Sequence, residues 1–155
     1  MDFTQALDIK VNEIETPPLL PEGTYIWRIT KLPIGRNSDS GDWTFLDFNC
    51  VAVAAEDDVD SDELEEYGNL SSAFGQVSFI ASTDPDRESD SKRTLDNIKK
   101  FCLNTLRVDA DEDATLGELL NNTVGAEFYA RAVHEIRKND PDIIDLRVKG
   151  WAPLD

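Results

Sequence analysis

Cysteine, histidine and methionine are all scarce in this sequence. Its 155 residues contain two cysteines, one histidine and one methionine. Cys50 and Cys102 lie in apolar patterns that predict a strand and a helix, and neither belongs to the C-x-x-C spacing of zinc or redox sites. We therefore expect two buried, reduced thiols of the kind found in cytoplasmic proteins.

Long apolar runs are also missing. No stretch approaches the roughly 20 apolar residues that a membrane-spanning helix requires. The first ten residues mix Asp2, Asp8 and Lys10 with isolated apolar side chains, unlike the continuous apolar core of a signal peptide. These absences predict a protein without membrane association that is located in the cytoplasm, or in the host cytoplasm if the source is viral.

Positive charge is the third deficit, since 15 basic residues against 32 acidic ones give a formal net charge of −17. Such a charge repels polyanions at long range. Two segments hold much of the acid: Glu56–Glu66 contains eight acidic residues without a base, and Asp109–Asp113 contains four more. The rest of the chain is only mildly acidic, so the composition still allows a locally positive groove.

Motifs for catalysis and for cofactor binding are absent as well. The single histidine, His134, has no nucleophile placed beside it by a known motif, and no glycine-rich phosphate-binding motif occurs. The acidic segments repeat the first three ligand positions of an EF-hand calcium loop, but Glu63 and Ala114 stand where that loop needs glycine. We expect a protein that is not an enzyme and has no metal or cofactor.

Alternating β-branched and aromatic residues predict five strands, and an apolar spacing of three and four residues predicts helices between the third and the fourth strand. The strands cover residues 24–32, 43–54, 72–82, 125–137 and 143–150, and the helices cover residues 90–106 and 116–122. Turn-forming residues occupy 35–42 and 138–142. This order, β-β-β-α-β-β, predicts a mainly β fold with one or two helices, in the form of a five-stranded, OB-like Greek-key barrel.

The helical segments have two further signals. In the longer one, the apolar residues Leu95, Ile98, Cys102 and Leu106 share one face. The shorter one begins with Thr115 and Glu118, whose T-x-x-E spacing predicts a capping box.

A single domain accounts for most of the chain. Residues 1–21 end in a proline-rich stretch and form a stiff N-terminal arm, and residues 22–155 form the OB-like domain. The acidic run at 56–66 is an insertion in that domain. Because eight acids without a base are costly to desolvate, we expect it to be exposed and to contribute little to stability.

The non-core side of the predicted strands, together with Arg28 and Arg36 beside the first turn and Trp151 just after the fifth strand, carries aromatic rings and basic groups. Binding of single strands without base specificity needs both, the rings for base stacking and the cations for phosphates. The rings are Trp43, Phe45, Phe74, Tyr129 and Trp151, and the cations are Arg28, Arg36, Arg131, Arg147 and Lys149. An alternative interpretation is that the rings cover a small second core beneath the N-terminal arm, while the cations pair with the surplus acid.

Residues 20–25, LPEGTY, and residues 148–153, VKGWAP, open and close the predicted barrel. The first segment, with Ile29-Thr30-Lys31 after it, resembles the opening strand of small bacteriophage proteins that bind single-stranded DNA and belong to replication and recombination gene clusters. The second is similar to their closing strand. The resemblance implies an OB-fold and non-catalytic binding of single-stranded DNA in phage replication or recombination. We accordingly expect replication or recombination proteins as partners, and a homo-oligomer.

The acidic composition keeps a second function open. An acidic protein-interaction or inhibitor module, which imitates nucleic acid or binds a basic partner, would carry the same surplus of negative charge. The strand order and the aromatic residues favour binding of single-stranded DNA, whereas the net charge favours the interaction module.

Overall fold

The computed structural model describes residues 2–155 as one antiparallel sheet of six strands with four α-helices. The strands are β1 (Gly23–Ile29), β2 (Ile34–Asn37), β3 (Trp43–Ala55), β4 (Phe74–Ser82), β5 (Glu127–Arg137) and β6 (Asp140–Pro153). The helices are α1 (Phe3–Ala6), α2 (Ser61–Tyr67), α3 (Glu88–Lys100) and α4 (Leu116–Asn121). The predicted β-rich class is confirmed, and the sheet has one strand more than the sequence predicts.

The sheet is organised around β3. Its first half pairs with β2 and its second half with β1, while β4 pairs with residues 43–51 along the opposite edge. β1 continues to β5 and β5 to β6, so the strands run β4-β3-β1-β5-β6 across the sheet. Within residues 2–155, β4 and β6 share no backbone pairing, and the sheet is open between them.

The predicted turn at 35–42 is wrong over its first half. Ile34–Asn37 form β2, which pairs with residues 44–47 of β3, and β1 ends at Ile29 instead of residue 32. Pairing with a neighbouring strand outweighs the weak strand preference of glycine and asparagine. The turn is reduced to residues 38–42, and it is closed by the N–H of Ser38, which donates to the carbonyl of Trp43 at 2.9 Å.

One side of the sheet holds an aromatic core. Phe48, Phe79 and Phe128 surround Phe101, and their ring centres lie 5.0, 5.5 and 5.6 Å from its own. Each such pair contributes about 0.5–1.5 kcal/mol beyond the burial of area. Trp27 is fully buried, and its indole N–H donates to a backbone carbonyl of β5 at 3.1 Å. The core therefore joins the strands to the segment that follows α3.

That segment departs from regular helix. After α3 the chain makes a π-helical turn, Phe101–Thr105. The predicted helical face is confirmed at Ile98, Cys102 and Leu106, which are buried, but Leu95 is exposed. A regular 3.6-residue period does not anticipate the extra residue of a π-helical turn. At α4 the predicted capping box of Thr115 and Glu118 is confirmed.

Both cysteines are free and buried, as the sequence pattern predicts. Burial raises the pKa of the Cys50 thiol to about 12 and that of Cys102 to about 11. Both thiols are therefore protonated at neutral pH.

The acidic segment 56–66 is partly packed, so the expectation that it is exposed holds for most of its acidic residues but not for its apolar ones. Val59 is buried in the core, and Leu64 of α2 packs against the same cluster. Asp58 accepts hydrogen bonds from the N–H and the hydroxyl of Thr24, at 2.9 and 2.8 Å, and so fixes the segment to β1. None of the eight acidic residues is buried, so the charge remains in solvent while the apolar residues between the acids anchor the backbone.

The N-terminal arm lies mostly outside the core. α1 and a 3₁₀ turn at Val11–Glu13 bury no residue. The arm joins the sheet at Leu20 and Pro21, which are buried, and the hydroxyl of Tyr25 donates to the carbonyl of Pro21 at 2.7 Å. Across residues 2–155, none of the helices has the length and apolar character needed to cross a membrane.

Candidate nucleic-acid interface

The outer face of β3 and β4 carries the first group of predicted residues. Trp43 and Phe45 lie on this face, and Phe45 pairs with Arg36 of β2 on one side and with Ile80 of β4 on the other. The guanidinium carbon of Arg36 lies 4.1 Å from the ring centre of Phe45, and that of Arg87 lies 5.4 Å from the ring of Trp43. These five residues are named the Trp43 patch.

A second group lies at the other end of the same strands. Phe74 of β4 pairs with Val51 of β3, which in turn pairs with Arg28 of β1. Phe74 is 70 % exposed, and a groove of about 490 Å³ runs between its ring and Arg28. These three residues are named the Phe74 patch. Eight residues of strand, or about 26 Å, separate Trp43 from Val51.

A polar network lies between the two patches. Asp47 is only 4 % exposed, and its carboxylate accepts hydrogen bonds from Nε of Arg36 at 2.5 Å and from the hydroxyl of Ser78 at 2.6 Å. A carboxylate at such a position needs these partners to offset its lost hydration. The same contacts hold the guanidinium of Arg36 over the ring of Phe45.

The N-terminal arm does not cover either patch. Trp43 is 37 % exposed, Phe74 is more exposed still, and α1 buries no residue. The interpretation in which the aromatic residues form a second core beneath the arm therefore does not hold for these two rings.

The predicted residues of β5 and β6 form a separate group. Arg131 pairs with Lys149 across the two strands, and Arg147 follows on the same outer face of β6. Tyr129 lies on the same face of β5, where the negative charge of Glu56 raises its pKa. Since β1 lies between β5 and β3, this group is separated from the aromatic residues of β3 and β4.

Trp151 faces the opposite side of the sheet. Strict alternation would place it on the outer face, two residues after Lys149, but the pairing of β5 with β6 shifts by one residue at this point. Gly150 forms the bulge with a φ of 64°, a left-handed conformation that glycine adopts without strain. The ring of Trp151 consequently lies 5.4 Å from that of Phe101 and 5.9 Å from that of Phe79.

Most of the predicted cations are paired with carboxylates. Arg28 pairs with Glu127 at 2.9 Å, Arg36 with Asp47 at 2.5 Å, Arg147 with Glu135 at 3.4 Å and with Asp145 at 3.8 Å, and Lys149 with Glu135. Of the predicted cations, Arg131 alone has no carboxylate within 4.0 Å among residues 2–155. Exposed ion pairs contribute only about 0–1 kcal/mol, so a phosphate can displace most of these carboxylates at modest cost.

Arg87 is the one charged residue of the Trp43 patch that no sequence pattern predicts to be there. This arginine lies in a 3₁₀ turn before α3, in a stretch whose aspartate, proline and serine residues indicate a helix cap. Only the fold brings it over Trp43, and no local pattern signals a contact between residues so distant in the chain.

The only histidine has a structural contact. Nε2 of His134 lies 2.6 Å from the carbonyl oxygen of Leu20, which ties β5 to the end of the arm. Among the residues that the structure describes, 2–155, no three histidine, cysteine, aspartate or glutamate side chains converge as metal ligands would.

No protein-family model matches this chain, and no significantly similar sequence is found among curated proteins. A function must therefore be inferred from the geometry of the outer face.

Proposed function

We propose that the protein binds single-stranded DNA without catalysis, along the outer face of β3 and β4. The observation that carries the proposal is the Trp43 patch, where the exposed ring of Trp43 and the half-buried ring of Phe45 lie on one strand and each has a guanidinium beside it. Stacking on such rings contributes about 1–3 kcal/mol per base, and nearby cations contact the phosphates. Phe74 adds a third ring at the far end of the same face, so a strand can follow β3 and β4 from one patch to the other.

The order of the strands supports an OB-like barrel as the framework. If the short β2 is left out and the other five strands are renumbered in chain order, their order across the sheet is 3-2-1-4-5. α3 then lies in the chain between the third and the fourth of these strands, β4 and β5. An OB-fold has the same arrangement, and it binds oligonucleotides on its second and third strands, here β3 and β4. β4 and β6 also approach each other closely, because a Cβ added to Gly75 would lie 2.6 Å from a methyl group of Val148.

The net charge does not oppose binding at the Trp43 patch as strongly as its size suggests. The acidic segment 56–66 follows the C-terminal end of β3, whereas Trp43 begins that strand. Twelve residues of strand correspond to about 40 Å, and charges in solvent are screened over about 8 Å at physiological ionic strength. The acidic segment therefore contributes little to the potential at Trp43.

The biological setting that we propose is phage DNA replication or recombination in the host cytoplasm. It is supported by the similarity of residues 20–25 and 148–153 to phage proteins that bind single-stranded DNA. Proteins of the same processes are the proposed partners, and we propose a homo-oligomer as the active form.

The second candidate function is an acidic interaction or inhibitor module. It is favoured by the ion pairs, because cations already bound to Glu127, Asp47, Glu135 and Asp145 can serve the fold alone. In that case the partner is a basic protein surface, and the aromatic rings of the outer face contribute nothing to DNA binding.

The direct test is the fluorescence anisotropy of a labelled oligothymidylate titrated with protein at low salt. We expect Trp43→Ala and Phe74→Ala each to weaken binding about 5- to 150-fold, which corresponds to the loss of one stacked base. Phe3→Ala is the matched control, because Phe3 is a phenylalanine as exposed as Phe74 that lies in the arm. Equal affinities for all three variants, in proteins that remain folded, would contradict the proposal.

A further inference from the structure

A groove follows the open seam between β4 and β6. It has a volume of about 650 Å³ and is lined by Phe79 and Ile80 of β4, by Trp151 of β6 and by one face of α3 with its π-helical turn. Pockets that hold small ligands have volumes of about 300–1,000 Å³. This groove is named the seam groove, and Trp151 is the only residue of the predicted interface that lines it.

The ring of Trp151 is held firmly at the floor of the seam groove. It packs against Phe101 and Phe79, and the residue still keeps 37 % of its surface accessible. A ring that is fixed on one side and open on another is suited to stack on a planar ligand without an entropic cost for ordering it.

The wall of the groove is a polar stripe. Asn97, Lys100 and Asn104 follow one another at three- and four-residue spacing, which places them on one helical face, and all three line the groove. Carboxamides both donate and accept hydrogen bonds, as the edge of a nucleobase does, and lysine is a compact partner for phosphate. The side chains that bond α3 to β4 are others, Ser91 and Thr94, whose hydroxyls donate to carbonyls of β4.

Two backbone irregularities converge on this groove. The bulge at Gly150 turns Trp151 inward, and the π-helical turn Phe101–Thr105 sets the position of Phe101 and of the polar residues after it. Regular strand and regular helix would build neither the floor nor the wall. Bulges and π-helical turns are both over-represented at functional sites.

The seam groove is continuous with the Trp43 patch. Ile80 lines the rim of the groove, and the same residue is the cross-strand partner of Phe45. A single strand that stacks on Phe45 can therefore pass over the edge of β4 and reach Trp151 without leaving the protein surface.

We infer that the seam groove takes one nucleobase of a bound single strand, stacked on Trp151, with Asn97 and Asn104 at the base edge and Lys100 at an adjacent phosphate. This inference rests on the proposed function and adds a site at the seam to the outer face. Lys100 is available for this contact because its side chain is 64 % exposed and, within residues 2–155, is paired only with Asp96, at 2.7 Å on the helix surface.

In a Trp43→Phe protein, Trp151 is the remaining tryptophan that a ligand can reach, because Trp27 is fully buried and adds only a constant background. We expect an oligothymidylate of about 12 nucleotides to quench the tryptophan fluorescence of this variant until it saturates. The quenching curve should follow the same concentration dependence as the binding curve measured by fluorescence anisotropy. In the same background, Asn97→Ala and Asn104→Ala should each weaken binding about 2- to 10-fold, the effect of one lost hydrogen bond. Lys100→Ala should weaken binding as well, whereas the control Lys99→Ala, which removes the same charge from the neighbouring position outside the groove, should weaken it less.

The possible failures can be told apart. Suppose that the wild-type protein binds the oligomer by anisotropy, the Trp43→Phe protein shows no quenching, and the asparagine and Lys100 variants retain full affinity. Base binding in the seam groove is then wrong, and the proposed binding along the outer face is unaffected. If the wild-type protein shows no anisotropy change at low salt, the proposed function fails and the inference falls with it.

Discussion

Glu135 is the acidic residue that holds two of the predicted cations. It pairs with both Lys149 and Arg147, and the hydrogen bond from Lys149 holds the pKa of Glu135 below its ordinary value. The carboxylate is therefore charged at neutral pH and competes with any phosphate for the same cations. We expect Glu135→Gln to strengthen oligothymidylate binding about two- to fivefold at low salt, since an exposed pair contributes at most about 1 kcal/mol.

The control for this variant is Glu112→Gln, which makes the same change of charge in the acidic loop before α4. An increase for Glu135→Gln alone would place the β5 and β6 residues on the path of the DNA. Equal affinities for the wild-type protein and both variants would remove Arg147 and Lys149 from the interface.

Asp58 gives the stability a defined dependence on pH. The N–H and the hydroxyl of Thr24 donate to its carboxylate and lower its pKa. A group whose pKa is lowered by folding stabilises the protein above its unfolded pKa, and this contribution is lost as the pH falls through the folded pKa. We therefore expect Asp58→Asn to have a lower melting temperature than the wild type at neutral pH, with the difference disappearing in strong acid. A difference that stays constant down to pH of about 2 would contradict this role for the charge.

At the scale of the elements, Val59 is the anchor of the acidic insertion. Its side chain is buried, whereas Val11 in the arm is almost fully exposed. We expect Val59→Ala to lower the free energy of unfolding by about 1–2 kcal/mol, through lost burial and the cavity that remains. Val11→Ala, the matched control, should leave it nearly unchanged. Urea denaturation of both variants measures the difference. Equal stabilities would show that the insertion contributes little to the free energy of unfolding.

The same elements show why sequence predicted part of the fold. Strand and helix periods identify continuous segments such as β3, β5 and α3, because many residues repeat the same signal. A single extra residue leaves no such signal, so neither the bulge at Gly150 nor the π-helical turn could be read from the pattern. β2 was missed for a different reason, since its four residues become a strand only through pairing with β3.

The candidate interface, like the fold, could be predicted from the sequence only in part. Alternation along β3 and β4 correctly placed Trp43, Phe45 and Phe74 on the outer face. It could not show that Arg87 lies over Trp43, or that Arg28 and Arg36 pair with carboxylates on neighbouring strands, because those contacts depend on the register of the sheet. Nor could it show that Trp151 lies on the opposite side of the sheet, because the bulge at Gly150 decides this.

At the scale of the whole molecule, the acidic segment and the Trp43 patch lie at opposite ends of β3. Local cations and exposed rings, and not the net charge, should therefore set the affinity for a single strand. The three arginines of the two patches, Arg28, Arg36 and Arg87, correspond to a log–log salt slope of about −2, at about 0.7 for each phosphate neutralised. Each further phosphate that Lys100, Arg147 or Lys149 binds should steepen this slope by about 0.7. Stacking of two or three bases at about 1–3 kcal/mol each would support micromolar affinity despite the repulsion of the remaining acids.

The central claim, that this acidic protein binds single-stranded DNA through its aromatic outer face, is tested most directly by its own tryptophan fluorescence. The wild-type protein is titrated at low salt with an unstructured pyrimidine oligomer, and the complex is then titrated with salt. The account predicts saturable quenching, a midpoint in the micromolar range and release by salt with the shallow slope given above. Unchanged fluorescence at low salt, together with a flat anisotropy isotherm, would contradict the account and favour the acidic interaction module.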